Sequence, residues 1–207
     1  AAIARACRDA GVLLILDEIF TGFGRTGTMF ACEQAGITPD IITLSKALTG
    51  GTLPLAATIA REEIFSAFWS DDYDAALMHG PTYSGNALAC AAANASLDLF
   101  EREPRLEQAL AIENRLAQDL APARALPGVA DMRVKGAIGA IALDHAPDLD
   151  WLRGAFVERG IWLRPFGRTI YTTPALTIAS QDLARITSAM LDVTLAWGQT
   201  RAAAQKD

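Results

Sequence analysis

The sequence is poor in histidine and cysteine and has no long apolar run, and each shortage closes off a class of function. Its two histidines, His79 and His145, lie too far apart to mark a zinc site. The three cysteines, Cys7, Cys32 and Cys90, have no CxxC spacing. A sparse, odd set fits reduced thiols in a cytoplasmic protein better than a disulfide framework. No apolar stretch approaches the roughly 18 to 20 residues that a membrane span needs. The opening "AAIARACRDAG" lacks the charged-then-apolar layout of a signal peptide. Basic charge is also short: 18 Lys and Arg stand against 24 Asp and Glu, a net charge of -6. Phosphate backbones need basic patches, so nucleic acid is disfavoured as a partner.

What is present reads as a core-forming globular protein, with 51% hydrophobic and 20% charged residues over 207 positions. That length suits one domain or two modest ones. Residues 1–10 have helical spacing and end at Gly11. Val12–Leu16 is an all-apolar run, predicted as a parallel strand buried on both faces. Ile41–Leu44 repeats the pattern after a Pro39-Asp40 turn. The Gly50-Gly51 turn then leads to "LPLAATIA" as a third strand, set antiparallel to the second, and to "REEIFSAFW" as a helix. A long alanine-rich helix is predicted over Ala87–Glu101, and a second from Pro104 to about Leu120. The remainder reads as a small α/β unit. "VADMRVKGAIGAIALD" holds one or two strands with Gly136 and Gly139 as bends or bulges. A helix closed by Gly160 follows, then short strands in "IWLRPF" and "TIYTTPALTI", and a C-terminal helix with Ser180 as N-cap.

Chemistry concentrates where apolar runs end. "LILDEIFTGFGRTG" places Asp17 and Glu18 after a strand, before a loop bearing Gly22, Gly24 and Gly27. Such an acid serves either of two chemistries. It can orient magnesium in a nucleotide triphosphatase, which also requires a GxxxxGK[ST] loop that these residues do not contain. Alternatively, Asp17 and Lys46 act together, both just past the carboxyl ends of strands, where open α/β sheets place ligands. A lysine amine forms a Schiff base with a carbonyl cofactor, and an aspartate keeps a pyridine nitrogen protonated. Singly, Asp17 reads as a turn cap and Lys46 as a solvated charge.

The segments "LDEIFTGFGRTG", "PDIITLSKALTGG" and "HGPTYSGNALACAAA" resemble successive motifs of the class III, fold-type I, pyridoxal-phosphate aminotransferases. "HGPTYSGNALACAAANASL" and "IWLRPFGRTIY" are most similar to the branch of that family acting in biotin biosynthesis. The resemblance implies an α/β fold. Residues 1–102 would form the C-terminal part of a cofactor-binding large domain with a mostly parallel sheet, and 103–207 a small C-terminal domain. It implies pyridoxal 5'-phosphate as cofactor and Lys46 as the Schiff-base lysine that also moves protons. Asp17 would partner the pyridine nitrogen, Ile19 would pack near the ring, and Thr82, beside Pro81, would reach the phosphate from a neighbouring subunit. Gly80, Arg164 and Tyr171 would contact substrate, with Arg164 pairing a carboxylate through two parallel hydrogen bonds.

The implied reaction transfers the amino group of S-adenosylmethionine to 8-amino-7-oxononanoate in a cytoplasmic homodimer with shared active sites. Another ω-aminotransferase, of ornithine or 4-aminobutyrate type, and a non-catalytic truncated homologue are the alternatives. Family members are about twice this length, and the mid-helix opening fits a C-terminal half that is inactive alone. "TTPALTIAS", after Tyr171, departs from the family pattern.

Overall fold

The computed structural model describes residues 1–80 and 82–204. The chain divides into two compact units, Ala1–Leu106 and Glu107–Asp207.

The first unit opens with α1 (Ala2–Asp9) and carries a three-stranded sheet of β1 (Ile15–Asp17), β2 (Ile41–Leu44) and β3 (Ala57–Ala60), in that spatial order. β1 runs parallel to β2 and β3 antiparallel to it. The antiparallel third strand is as expected, so this sheet has one pairing of each kind. β1 is shorter than the predicted run and is not buried on both faces: Val12, Leu13 and Ile15 are each more than half exposed. Among the described residues it is an edge strand, bonded to β2 alone. β3 begins later than expected because the carbonyls of Leu53 and Leu55 accept from the Thr49 and Ser45 hydroxyls. The helix α2 (Glu62–Ser66) is shorter than predicted. α3 (Ala87–Arg102) matches its alanine-rich segment, and its small face presses Ala89, Ala93 and Ser96 inward. Phe23, Leu44, Leu48 and Ala93 form the buried core, with Phe30 and Phe100 packed against it.

Asp40 fastens this sheet at its amino end. Its Oδ2 accepts from the Leu14 N–H at 2.7 Å and its Oδ1 from Arg61 at 3.0 Å, so one carboxylate links the approaches to β1 and β2 with the end of β3. The Leu14 N–H and then the Arg61 guanidinium hold its pKa below the ordinary carboxylate value. A depressed folded-state pKa contributes stability above the unfolded value of about 3.9, lost as pH falls through the folded value. Asp40→Asn is therefore expected to be less stable than wild type at pH 6. The gap should narrow below about pH 4, the ordinary carboxylate range. Urea titrations at both pH values check this, and a gap independent of pH would contradict it. A cleft of about 650 Å³ lies at this amino end beside Arg8, Asp40 and Arg61. Ligands of open α/β sheets bind at the opposite, carboxyl ends of strands.

In the second unit, α4 (Arg105–Leu120) packs on an antiparallel sheet of β4 (Val129–Lys135), β5 (Ile138–Leu143) and β6 (Thr169–Thr172). α5 (Leu149–Glu158) and α6 (Ser180–Ala204) complete the unit. Leu116, Leu120, Leu143 and Leu152 are at most 1% exposed. Each such side chain contributes on the order of 2 kcal/mol by leaving water.

Three local expectations are corrected. Gly139 is neither bend nor bulge: it lies inside β5, where a Cβ would stand 2.9 Å from Leu120 Cδ1, so its bareness lets α4 approach the strand. The irregularity falls instead between Val129 and Asp131. "IWLRPF" forms no strand beyond a single bridge from Phe166 to Thr169, because Pro165 has no N–H to give a ladder. The Ala179 carbonyl accepts from Leu183 N, which makes Ala179 the cap of α6 and Ser180 its first residue.

Candidate active site

The ladder between β1 and β2 pairs Asp17 with Thr43, and Lys46 follows three residues later. Asp17 and Lys46 thus leave the carboxyl ends of adjacent parallel strands. Asp17 is exposed, and its Oδ1 accepts from the Ile19 N–H at 2.9 Å, a local turn that leaves carboxylate lone pairs open to solvent.

Lys46 begins a tight 3-10 turn, Lys46–Thr49, with φ of 49°. A left-handed backbone costs a side-chain-bearing residue about 1–2 kcal/mol, and such strain persists only where surroundings impose it. Here they do. Ser45 Oγ donates to the Leu55 carbonyl at 2.6 Å, Thr49 Oγ1 to Leu53 at 2.6 Å, and Ser96 Oγ, from α3, to Ala47 at 3.0 Å. Gly50 and Gly51, both at positive φ, turn the chain back toward β3.

Glu18, beside Asp17, has the opposite fate. Strand residues alternate faces, and Glu18 is only 3% exposed. Its carboxylate accepts from Thr21 Oγ1, Ala31 N and Cys32 N, each at 2.8 Å. It closes the glycine-bearing loop onto the strand end. Burial, then the charge and hydrogen bond of Glu18, raise the Cys32 thiol pKa. The loop carries Phe20 and Arg25. Lys46 Nζ lies 5.0 Å from the Phe20 ring centroid, and Arg25 Cζ lies 6.0 Å from it. Burial lowers the Arg25 pKa.

Gly80 and Thr82 are exposed, and Pro81 lies outside the described residues. Thr82 lines a cleft of about 460 Å³ with Ser45, Leu55, Tyr83 and Ser84 of the same chain. A smaller adjoining cleft includes Lys46 together with Ser45, Pro54 and Leu55. In the second unit Arg164 is exposed between buried Leu163 and Pro165, with no ion pair among the described residues. Tyr171 is half-buried in β6, opposite Ala140 of β5.

The model of the class-III aminotransferases matches residues 1–194. The chain belongs to the class III aminotransferases. A Corynebacterium glutamicum protein named adenosylmethionine-8-amino-7-oxononanoate aminotransferase is 42% identical over 188 residues, covering 91% of this chain and 44% of that one. A solved enzyme of the same name from Methanocaldococcus jannaschii superposes with a TM-score of 0.86 at 34% identity, over 94% of this chain and 48% of the other. An (S)-enantioselective omega-transaminase from Thermomicrobium roseum gives 0.86 at 35% identity, over 94% and 45%. This class III chain therefore spans less than half the length of the relatives it matches.

The residues present fit pyridoxal phosphate. The site offers an open carboxylate for a ring nitrogen and a lysine amine with no ion pair among the described residues for an aldehyde. Sequence reasoning identified those two but gave no role to Glu18, Phe20, Ser45 or Thr49. The Asp-Glu pair at a strand end, one acid per face, is the signal by which Glu18 was findable. Hydroxyls around a Gly-Gly turn are the signal for Ser45 and Thr49.

Proposed function

We propose that this chain forms the Lys46-bearing part of a pyridoxal-phosphate aminotransferase that takes the amino group of S-adenosylmethionine to 8-amino-7-oxononanoate. The observation carrying the reading is the placement of Asp17 and Lys46 at the carboxyl ends of two paired parallel strands. Residues 1–102 are the end of the large domain and 103–207 the small domain of a cytoplasmic homodimer with shared sites.

When bound, the cofactor supplies an electron-withdrawing ring that stabilises negative charge on the substrate carbon. Asp17 holds the proton on the ring nitrogen. Lys46 anchors the cofactor, and its Nζ takes the proton from the amine-bearing carbon of the donor and delivers one to the acceptor in the second half-reaction. Pro81 and Thr82 serve the phosphate, while Gly80 and Tyr171 line the substrate pocket.

Arg164 is exposed, and we assign it to the carboxylate at the far end of the keto substrate. A charge-assisted hydrogen bond is worth about 1.5 to 3 kcal/mol. Arg164→Ala in the full-length enzyme should therefore weaken 8-amino-7-oxononanoate binding about tenfold to a hundredfold. The half-reaction with S-adenosylmethionine should change less. Following interconversion of the pyridoxal and pyridoxamine forms in each half-reaction measures both, and equal losses would remove the assignment. The likeness to an omega-transaminase, as strong in structure as that to the adenosylmethionine-8-amino-7-oxononanoate aminotransferase, favours a second reading with an ordinary amino donor. Conversion of wild-type cofactor by ornithine or 4-aminobutyrate but not by S-adenosylmethionine would select it.

A further inference from the structure

Phe20 is 42% exposed and takes no part in the buried core of its unit. Its ring nevertheless has Lys46 Nζ at 5.0 Å from its centroid, inside the roughly 6 Å over which a ring face attracts a cation. We infer that Phe20 is a positioning residue: its ring face holds the Lys46 ammonium whenever that amine is not covalently engaged. The inference rests on Lys46 being the reactive amine of the proposed function.

Lysine carries its charge on a flexible four-carbon stem, so an exposed amine stays in one place only if something holds it. No carboxylate pairs with Lys46 among the described residues, and the nearest acid in the motif, Asp17, accepts from Ile19 N. The aromatic face is the attraction the structure provides. Phe20 is itself well placed to hold a neighbour. Glu18 N donates to the Thr43 carbonyl of β2 at 3.0 Å, and Gly22 N donates back to the Glu18 carbonyl at 3.0 Å. Phe20 sits in the middle of that turn, with the Glu18 carboxylate tying the loop down beyond it. An aliphatic side chain there would fill similar space without the negative face.

The sequence contains three lysines, Lys46, Lys135 and Lys206, so the amines can be resolved peptide by peptide. The full chain, free of cofactor, is acetylated with an N-hydroxysuccinimide ester at fixed pH. Mass spectrometry then gives the Lys46 rate relative to exposed Lys135. Losing a cation–ring attraction of the usual exposed strength should raise the Lys46 rate about twofold to fivefold in Phe20→Leu. Phe20→Tyr should restore the wild-type rate. Replacing Phe20 by a trifluorinated phenylalanine, which keeps the shape and weakens the negative face, should also raise the rate and covers the case in which the leucine variant fails to fold.

Wild-type rates in both the leucine and fluorinated proteins would overturn the inference. So would an increase in Phe20→Tyr as large as in Phe20→Leu, because a ring would then be present without holding the amine. Borohydride trapping of pyridoxal phosphate on wild-type protein tests the underlying function separately. Trapping on another lysine would sink the proposed function and leave the labelling result standing.

Discussion

Lys46→Ala in the full-length enzyme should eliminate the borohydride-stable cofactor adduct and reduce transamination by at least about 10⁴-fold. General acid–base catalysis by one positioned group is worth about 10² to 10⁴-fold, and here the same amine also anchors the cofactor. Stability should move the other way for a suitable replacement. Lys46 holds a φ of 49°, which glycine adopts without the steric cost a Cβ imposes. Lys46→Gly is thus expected to be as inactive as the alanine variant yet more stable than it by up to about 1–2 kcal/mol. Chemical denaturation of the pair measures the difference. A borohydride-reducible lysine adduct in either variant would show that another lysine carries the cofactor. Equal stabilities would show that the left-handed turn is not strained.

The second large effect is expected at Glu18, a residue that touches no proposed substrate. Removing its carboxylate strands the Ala31 and Cys32 N–H groups and the Thr21 hydroxyl, which it accepts from at 2.8 Å each. A buried donor left unsatisfied costs about 1–3 kcal/mol, so Glu18→Ala should lose on the order of 3 kcal/mol or more, a large effect for one substitution. Glu18→Gln should rescue little. Its amide retains one acceptor oxygen and turns an NH₂ donor toward N–H groups that also donate. Freed of its anchor, the loop should release Phe20 and Cys32. Cys32 should then react faster with iodoacetamide, since burial and the Glu18 carboxylate are what raise its pKa. Denaturation midpoints and alkylation rates test this together. An alanine variant with wild-type stability and thiol reactivity would show that the loop holds itself.

The course of β2, α3, α4 and α5 was legible in the sequence because periodicity and punctuation agree there. Three apolar residues and a β-branched threonine between Pro39-Asp40 and Ser45 leave little alternative to a short strand, and the Ala87 helix begins where Asn86 accepts from Leu88 and Ala89 N–H groups. "IWLRPF" misled because apolar content suggests a strand, whereas a ladder requires donors that Pro165 cannot supply. Gly139 misled for a different reason: bareness serving close packing looks the same in sequence as bareness serving a bend.

By itself the sequence determined the family, through motifs spaced along the first unit, and with it the placing of Asp17 and Lys46 at strand ends. Those features are local, set by a few neighbouring residues and by where an apolar run stops. The tertiary structure alone decided which of two adjacent acids faces solvent and which closes a loop. It also decided that Lys46 is bent into a left-handed turn by hydroxyls from Ser45, Thr49 and Ser96, and that an exposed phenylalanine lies against its amine. Ser96 reaches Ala47 across 49 positions and Glu18 reaches Cys32 across 14. Contacts of that kind exist only once the chain has closed on itself: a local pattern such as the Asp-Glu pair can point to the residue but not to its partner.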